Sequence, residues 1–196
     1  MGDFFIVAVG CSAGGTAAYN ELFSKIPPDV NAAFVVIQHL HPEFETINYK
    51  LVTEFTSLKS FRAQHDQVIE PGSIYFLPEN SMMTIKDKRL QLRARNKDEV
   101  LNRAVDIFFS SLSIDASSKA IGIILSGFGN DGVEGALAIH RAGGIVMTQS
   151  PRYALYKSMP QSLISKHRPH FILPPDELAL KLLELIGSGW QNKSAV

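Results

Sequence analysis

The chain of 196 residues contains one cysteine and one tryptophan, and it has no excess of either charge. A single cysteine excludes an internal disulfide and fits the reducing cytoplasm. Nineteen Lys and Arg balance nineteen Asp and Glu. Such a balance leaves no basic surface that would select nucleic acid or an anionic membrane. Apolar runs such as Phe4–Val9 are one strand long, whereas a membrane-spanning helix needs about 20 apolar residues. The opening Met-Gly-Asp lacks the basic region and cleavage signal of a secretory leader. The expectation is a cytoplasmic protein with one globular domain over residues 1–187. The small, polar residues 188–196 are expected to be a tail or linker.

What is present alternates. Residues 4–9 and 33–38 are apolar on both faces, as in strands buried in a parallel sheet. A helix is expected from about Thr16 to Lys25 and another from Phe44 to Phe55. The pattern then changes. Glu70-Pro71-Gly72 and Pro78-Glu79-Asn80 punctuate short strands at Ile74–Leu77 and Met82–Ile85, and Asp87-Lys88-Arg89 precedes Leu90–Leu92. This stretch predicts an antiparallel hairpin inserted into the sheet or added to its edge. Helical spacing returns at Val105, Phe108, Phe109 and Leu112. Strands at 120–125, 145–148 and 171–173 then alternate with helices at 133–142, near Pro160 and at 176–186. The fold expected is α/β, a mostly parallel doubly wound sheet with helices on both faces and an antiparallel β-hairpin.

In such sheets the loops after the carboxyl ends of the strands line the binding crevice. After the first strand comes Gly10-Cys11-Ser12-Ala13-Gly14-Gly15-Thr16. A serine between glycines, at the point where a strand turns into a helix, is exposed beside unpaired N–H groups and a positive dipole end. After the second strand comes Gln38-His39-Leu40-His41-Pro42, and after the strand at 120–125 comes Ser126-Gly127-Phe128-Gly129-Asn130-Asp131-Gly132. Ser12, His39 and Asp131 together are the parts of a nucleophilic hydrolase: a nucleophile, a base, and a carboxylate that fixes the imidazole tautomer. Each residue alone also reads blandly, as a helix cap, a surface histidine and a turn aspartate.

Other chemistries fit less well. Gly10-Cys11-Ser12-Ala13-Gly14 matches the G-x-S-x-G elbow, but the partner order of α/β-hydrolases is Ser, Asp or Glu, His. A dinucleotide site would want an acidic residue at the end of the second strand, where Gln38-His39 stand. His39 and His41 could begin a metal site, but no third ligand is suggested nearby. Neither a cofactor nor a metal is expected. Cys11 is expected to be a buried filler rather than a thiol nucleophile.

With these motifs the chain resembles the catalytic domain of CheB-type chemoreceptor protein-glutamate methylesterases. Glu70-Pro71-Gly72, Val105-Asp106 and Met159-Pro160 extend the match across roughly residues 5–186. The resemblance implies hydrolysis of methyl esters on receptor glutamates, with deamidation of receptor glutamines as a second activity. It assigns Ser12, His39 and Asp131 as nucleophile, base and aspartate. It also implies an oxyanion and substrate cleft around Ala13, Phe128 and Met159, within a rim expected to include Gln149 and Gln161. The partners implied are methylated cytoplasmic receptor helices, with a fused or separate methyltransferase and sensor modules, and a place in a phosphorelay. This sequence departs from the family at Ala13, Phe128, Asn102-Arg103 and Gln161, which bears on substrate preference. Two alternatives stand beside the methylesterase: a degenerate binding or signalling domain, and a general hydrolase of small esters.

Overall fold

The computed structural model describes residues 3–39, 47–96, 99 and 101–188. The order of elements is β1 (Phe5–Cys11), α1 (Gly15–Phe23), β2 (Ala32–Gln38) and α2 (Asn48–Leu51), then β3 (Lys59–Arg62), β4 (Gln67–Val68), β5 (Ser73–Phe76), β6 (Ser81–Lys86) and β7 (Arg89–Ala94). There follow α3 (Ala104–Ala116), β8 (Ala120–Ile124), α4 (Val133–Arg141), β9 (Ile145–Gln149), α5 (Ser158–Lys166), β10 (Phe171–Leu173) and α6 (Pro175–Gly187).

The main sheet has the order β10-β9-β8-β1-β2-β5-β3, and every pairing in it is parallel. Its faces bury alternate residues of the same strands. Phe5, Val7, Val9 and Cys11 join Tyr19 and Leu22 of α1 and Leu178 and Leu182 of α6. Ile6 and Ala8 face Phe108 and Phe109 of α3 and Ile139 of α4. Burial on both faces accounts for the absence of polar alternation in β1 and β2. β2 lies on one side of β1 and β8 on the other, and the later strands β9 and β10 continue outward from β8, so a topological switch point lies beside β1. Crevices open at that place in sheets of this kind.

The hairpin differs from expectation in where it sits. β6 and β7 pair antiparallel, and with β4 they form a separate three-stranded sheet. That sheet is fastened to α3: the Ile85 N–H donates to Ser111 Oγ at 3.0 Å, and the Lys88 N–H donates to Asp115 Oδ2 at 3.2 Å. Ser73–Phe76, expected as part of the hairpin region, is a parallel strand of the main sheet beside β2. The edge next to it is β3, whose Phe61 is stacked on Tyr75 at 5.5 Å. Of the helix expected over 44–55, residues 44–46 lie outside the described part. The remainder is α2 followed by a short 3-10 turn at Val52–Glu54.

Candidate active site

Register builds the site. Cys11 of β1 lies opposite Gln38 of β2, so the next residues, Ser12 and His39, leave the sheet side by side. Gly10 lies opposite Ile124 on the other flank, which brings the loop from Ser126 onward to the same edge. Backbone hydrogen bonds fix the three loops to one another. The Ser12 N–H donates to the Ser126 carbonyl at 3.0 Å, and the His39 N–H donates to the Cys11 carbonyl at 3.1 Å. The turn closes with the Gly15 N–H donating to the Ser12 carbonyl at 3.0 Å. Gly14 has φ 73°, a left-handed backbone that glycine adopts without strain.

Asp131 reaches the crevice from the loop before α4. Its Oδ2 accepts a hydrogen bond from His39 Nε2 at 2.7 Å. Oδ2 also accepts the Val105 N–H and Oδ1 the Asp106 N–H, each at 2.9 Å. These two amides belong to the first turn of α3, where N–H groups lack helical partners and favour an anion. The side chain of Asp131 is 6% exposed and that of His39 18%. Nε2 of His39 thus faces the carboxylate, and Nδ1 is the ring nitrogen turned away from it. Compared with the serine-protease arrangement, the ring is used the other way round. Among the described residues, the Ser12 hydroxyl makes no hydrogen bond, and neither do the N–H groups of Ala13 and Phe128.

Asp106 stands behind Asp131. It accepts the Gly135 N–H at 2.9 Å and the Arg103 guanidinium at 3.0 Å. Burial pushes its carboxyl up; the Gly135 N–H opposes this and the charge of Asp131 adds to it. Nothing in the local sequence announces the α3 amides as the seat of Asp131, because they lie 25 and more residues away in the chain.

The remaining expected residues divide. Phe128 is 60% exposed and packs on Tyr156 at 4.4 Å between ring centres. Met159 is fully buried. Its sulfur lies under Gly127, where an added Cβ would also meet Ser12 Cβ at 2.9 Å. It therefore supports the loop from beneath and does not line an open rim. Gln149 is buried as well: it accepts the Ser126 N–H at 2.8 Å and donates to the Tyr153 carbonyl at 3.0 Å. Gln161 is exposed. Cys11 is buried, and that burial pushes its thiol up to about 12. It packs on the α1 and α6 side of the sheet. His41 lies outside the described residues. Among the described residues no group of three or more His, Cys, Asp or Glu could hold a metal ion, and no helix is long and apolar enough to cross a membrane.

A parallel α/β sheet with a Gly-rich serine turn and a hydrogen-bonded Asp–His pair at its carboxyl edge defines the class: domains built like hydrolases at a topological switch point. Within it the chain belongs to the CheB methylesterase family, whose model matches residues 7–182. Among its relatives is a protein-glutamate methylesterase/protein-glutamine glutaminase of Methanosarcina acetivorans, 27% identical over 190 residues. The match covers 93% of this chain and 53% of that protein. A protein of the same description from Saccharophagus degradans is 29% identical over 184 residues, covering 92% of this chain and 53% of the relative. The chain thus spans about half the length of these relatives. The crystal structure of the Thermotoga maritima CheB methylesterase catalytic domain superposes with a TM-score of 0.84 at 26% identity, covering 93% of this chain and 98% of that one.

Proposed function

We propose that this domain is a serine esterase that removes methyl groups from glutamyl methyl esters of chemoreceptors, with receptor glutamine deamidation as a related activity. The observation that carries the reading is the 2.7 Å contact of His39 Nε2 with Asp131, set beside Ser12 by the β1–β2 register. Ser12 Oγ attacks the ester carbonyl while its proton passes to Nδ1 of His39. Asp131 holds the Nε2 proton and stabilises the imidazolium. The tetrahedral oxyanion is met by the N–H groups of Ala13 and Phe128, which have no partner among the described residues. Collapse expels methoxide, which leaves as methanol with the proton from His39. Water, deprotonated by the same nitrogen, then hydrolyses the acyl-enzyme and restores Ser12.

The substrate class is supported by the names of the relatives, and the cytoplasm is where such a receptor segment would be met. The test is methanol release from a methylated chemoreceptor fragment. Release that is abolished in Ser12→Ala supports the assignment. No release, with tight binding of the fragment, would favour the degenerate binding domain; equal turnover of any small ester would favour a general esterase.

A further inference from the structure

The chain is neutral as a whole, yet its charges are segregated. From Gly135 to Pro175 it has Arg141, Arg152, Lys157, Lys166 and Arg168 and no Asp or Glu. None of these five forms an ion pair among the described residues. Arg141 and Lys166 end their helices and Arg168 precedes β10, which puts them toward the opposite edge of the sheet. Arg152 and Lys157 are different. Both are exposed on the loop between β9 and α5, at the carboxyl edge.

That loop is held firmly against the serine turn. The Tyr156 N–H donates to Ser126 Oγ at 3.0 Å, and Ser126 Oγ donates to the Ala13 carbonyl at 2.9 Å. The Gly127 N–H donates to the Tyr156 carbonyl at 3.0 Å. Leu155 sits over Gly14, its Cβ 2.9 Å from where a Cβ on that glycine would be. Between the two cations the loop presents Tyr153 at 58% and Leu155 at 74% exposure, and Phe128 adjoins them at 60%. Large apolar side chains this open, grouped on a loop pinned by hydrogen bonds, are a feature of interaction sites.

We infer that Arg152, Tyr153, Leu155, Lys157 and Phe128 form a docking strip for an acidic amphipathic helix that carries the reacting ester. The inference rests on the esterase reading for the identity of the reacting group. Charge complementarity selects the occupant. An apolar strip flanked by unpaired cations matches a helix whose apolar stripe is bordered by carboxylates one turn apart. The strip borders the serine turn, with Leu155 over Gly14 and Phe128 next to Gly127, which packs against Ser12, so a helix seated on it delivers a glutamyl side chain to the crevice. Such remote contacts are where binding energy useful for turnover is gained.

The experiment measures binding separately from turnover, in the full chain with Ser12→Ala. A labelled helical peptide carries one methyl-ester glutamate with Glu on the flanking turns; its isostere carries Gln at those positions. The Glu peptide should bind more tightly at low salt, and the difference should vanish at several hundred millimolar salt, where exposed charges are screened. Arg152→Glu with Lys157→Glu should weaken the Glu peptide by about tenfold, as expected for reversing two exposed pairs, and leave the Gln peptide unchanged. Arg152→Lys with Lys157→Arg should retain the preference. Leu155→Ser should weaken both peptides alike. Equal affinity for the two peptides, or a preference that survives charge reversal, would overturn the strip. Absence of methanol release by the unmodified enzyme would sink the esterase reading instead, and the binding comparison would still decide the strip.

Discussion

Asp131 is tied down more tightly than any other member of the proposed site: His39 and two amides of α3 all donate to its carboxylate. Asp131→Asn must turn an amide NH2 or its carbonyl toward three donors, and it favours the wrong imidazole tautomer. Turnover of the receptor ester should fall on the order of ten-thousand-fold, by analogy with the serine-protease case. Asp106→Asn keeps an oxygen for the Gly135 N–H and its own N–H bond to Asp131; it gives up the ion pair with Arg103 and a like charge behind Asp131, neither of which touches His39, so single-turnover rates should fall far less. Ser12→Ala should lose several orders of magnitude in turnover with an unchanged thermal midpoint, because Ser12 Oγ makes no hydrogen bond among the described residues. Cys11 gives the contrast. Its thiol is pushed from 9.0 to about 12 by burial, so the native protein should resist alkylation at neutral pH and react only once unfolded. The unfolded thiol ionises from pH 9 upward while the native one stays protonated. This group therefore leaves stability unaffected below pH 9 and lowers it as pH rises from 9 toward 12, a trend that Cys11→Ser should remove in denaturant titrations.

At the scale of elements, the loop after β8 depends on what lies beneath it. Gly127 is boxed in by Ser12 and the Met159 sulfur. An added methyl in Gly127→Ala must displace either Ser12 or the buried thioether, so both turnover and thermal midpoint should fall. Met159→Ala removes a fully buried side chain, at a cost of about 2–5 kcal/mol for a core truncation of this kind. Calorimetry of the two variants separates a stability loss from a loss of rate per folded molecule. The same elements show where sequence reasoning stopped. The family resemblance puts Met159 in the cleft and the expected rim includes Gln149, but their side chains turn inward, one to fill space under Gly127 and the other to bind the Ser126 N–H. The hairpin was legible from its turn residues. Its attachment was not, since its third strand, Gln67–Val68, is two residues long. The edge strand Lys59–Arg62 has one apolar residue and gave no pattern to read.

For the whole molecule, the strand ends that form the proposed site lie along one edge of the sheet, beside a loop that leaves Tyr153 and Leu155 largely exposed. A glutamyl methyl ester presented on a receptor helix should be hydrolysed with a far higher kcat/KM than the free amino-acid ester, because contacts beyond the reacting group position it. Similar efficiency on both would place the chain among general esterases. The comparison requires the same preparation and the same ester in both contexts.

The sequence by itself determined which strands are buried on both faces, that they alternate with helices, and that a serine, a histidine and an aspartate each follow a strand end. Apolar runs and glycine turns are local properties, so a linear reading reaches them. The tertiary structure decided which strand ends are neighbours. The pairing of Cys11 with Gln38, and of Gly10 with Ile124, joins segments 27 and 114 residues apart, and no local preference encodes it. It also decided that the first turn of α3 receives Asp131, which nitrogen of His39 faces that carboxylate, and that Arg152 and Lys157 flank the serine turn. Each of these depends on packing both faces of one sheet at once, which distributes the information over the whole chain.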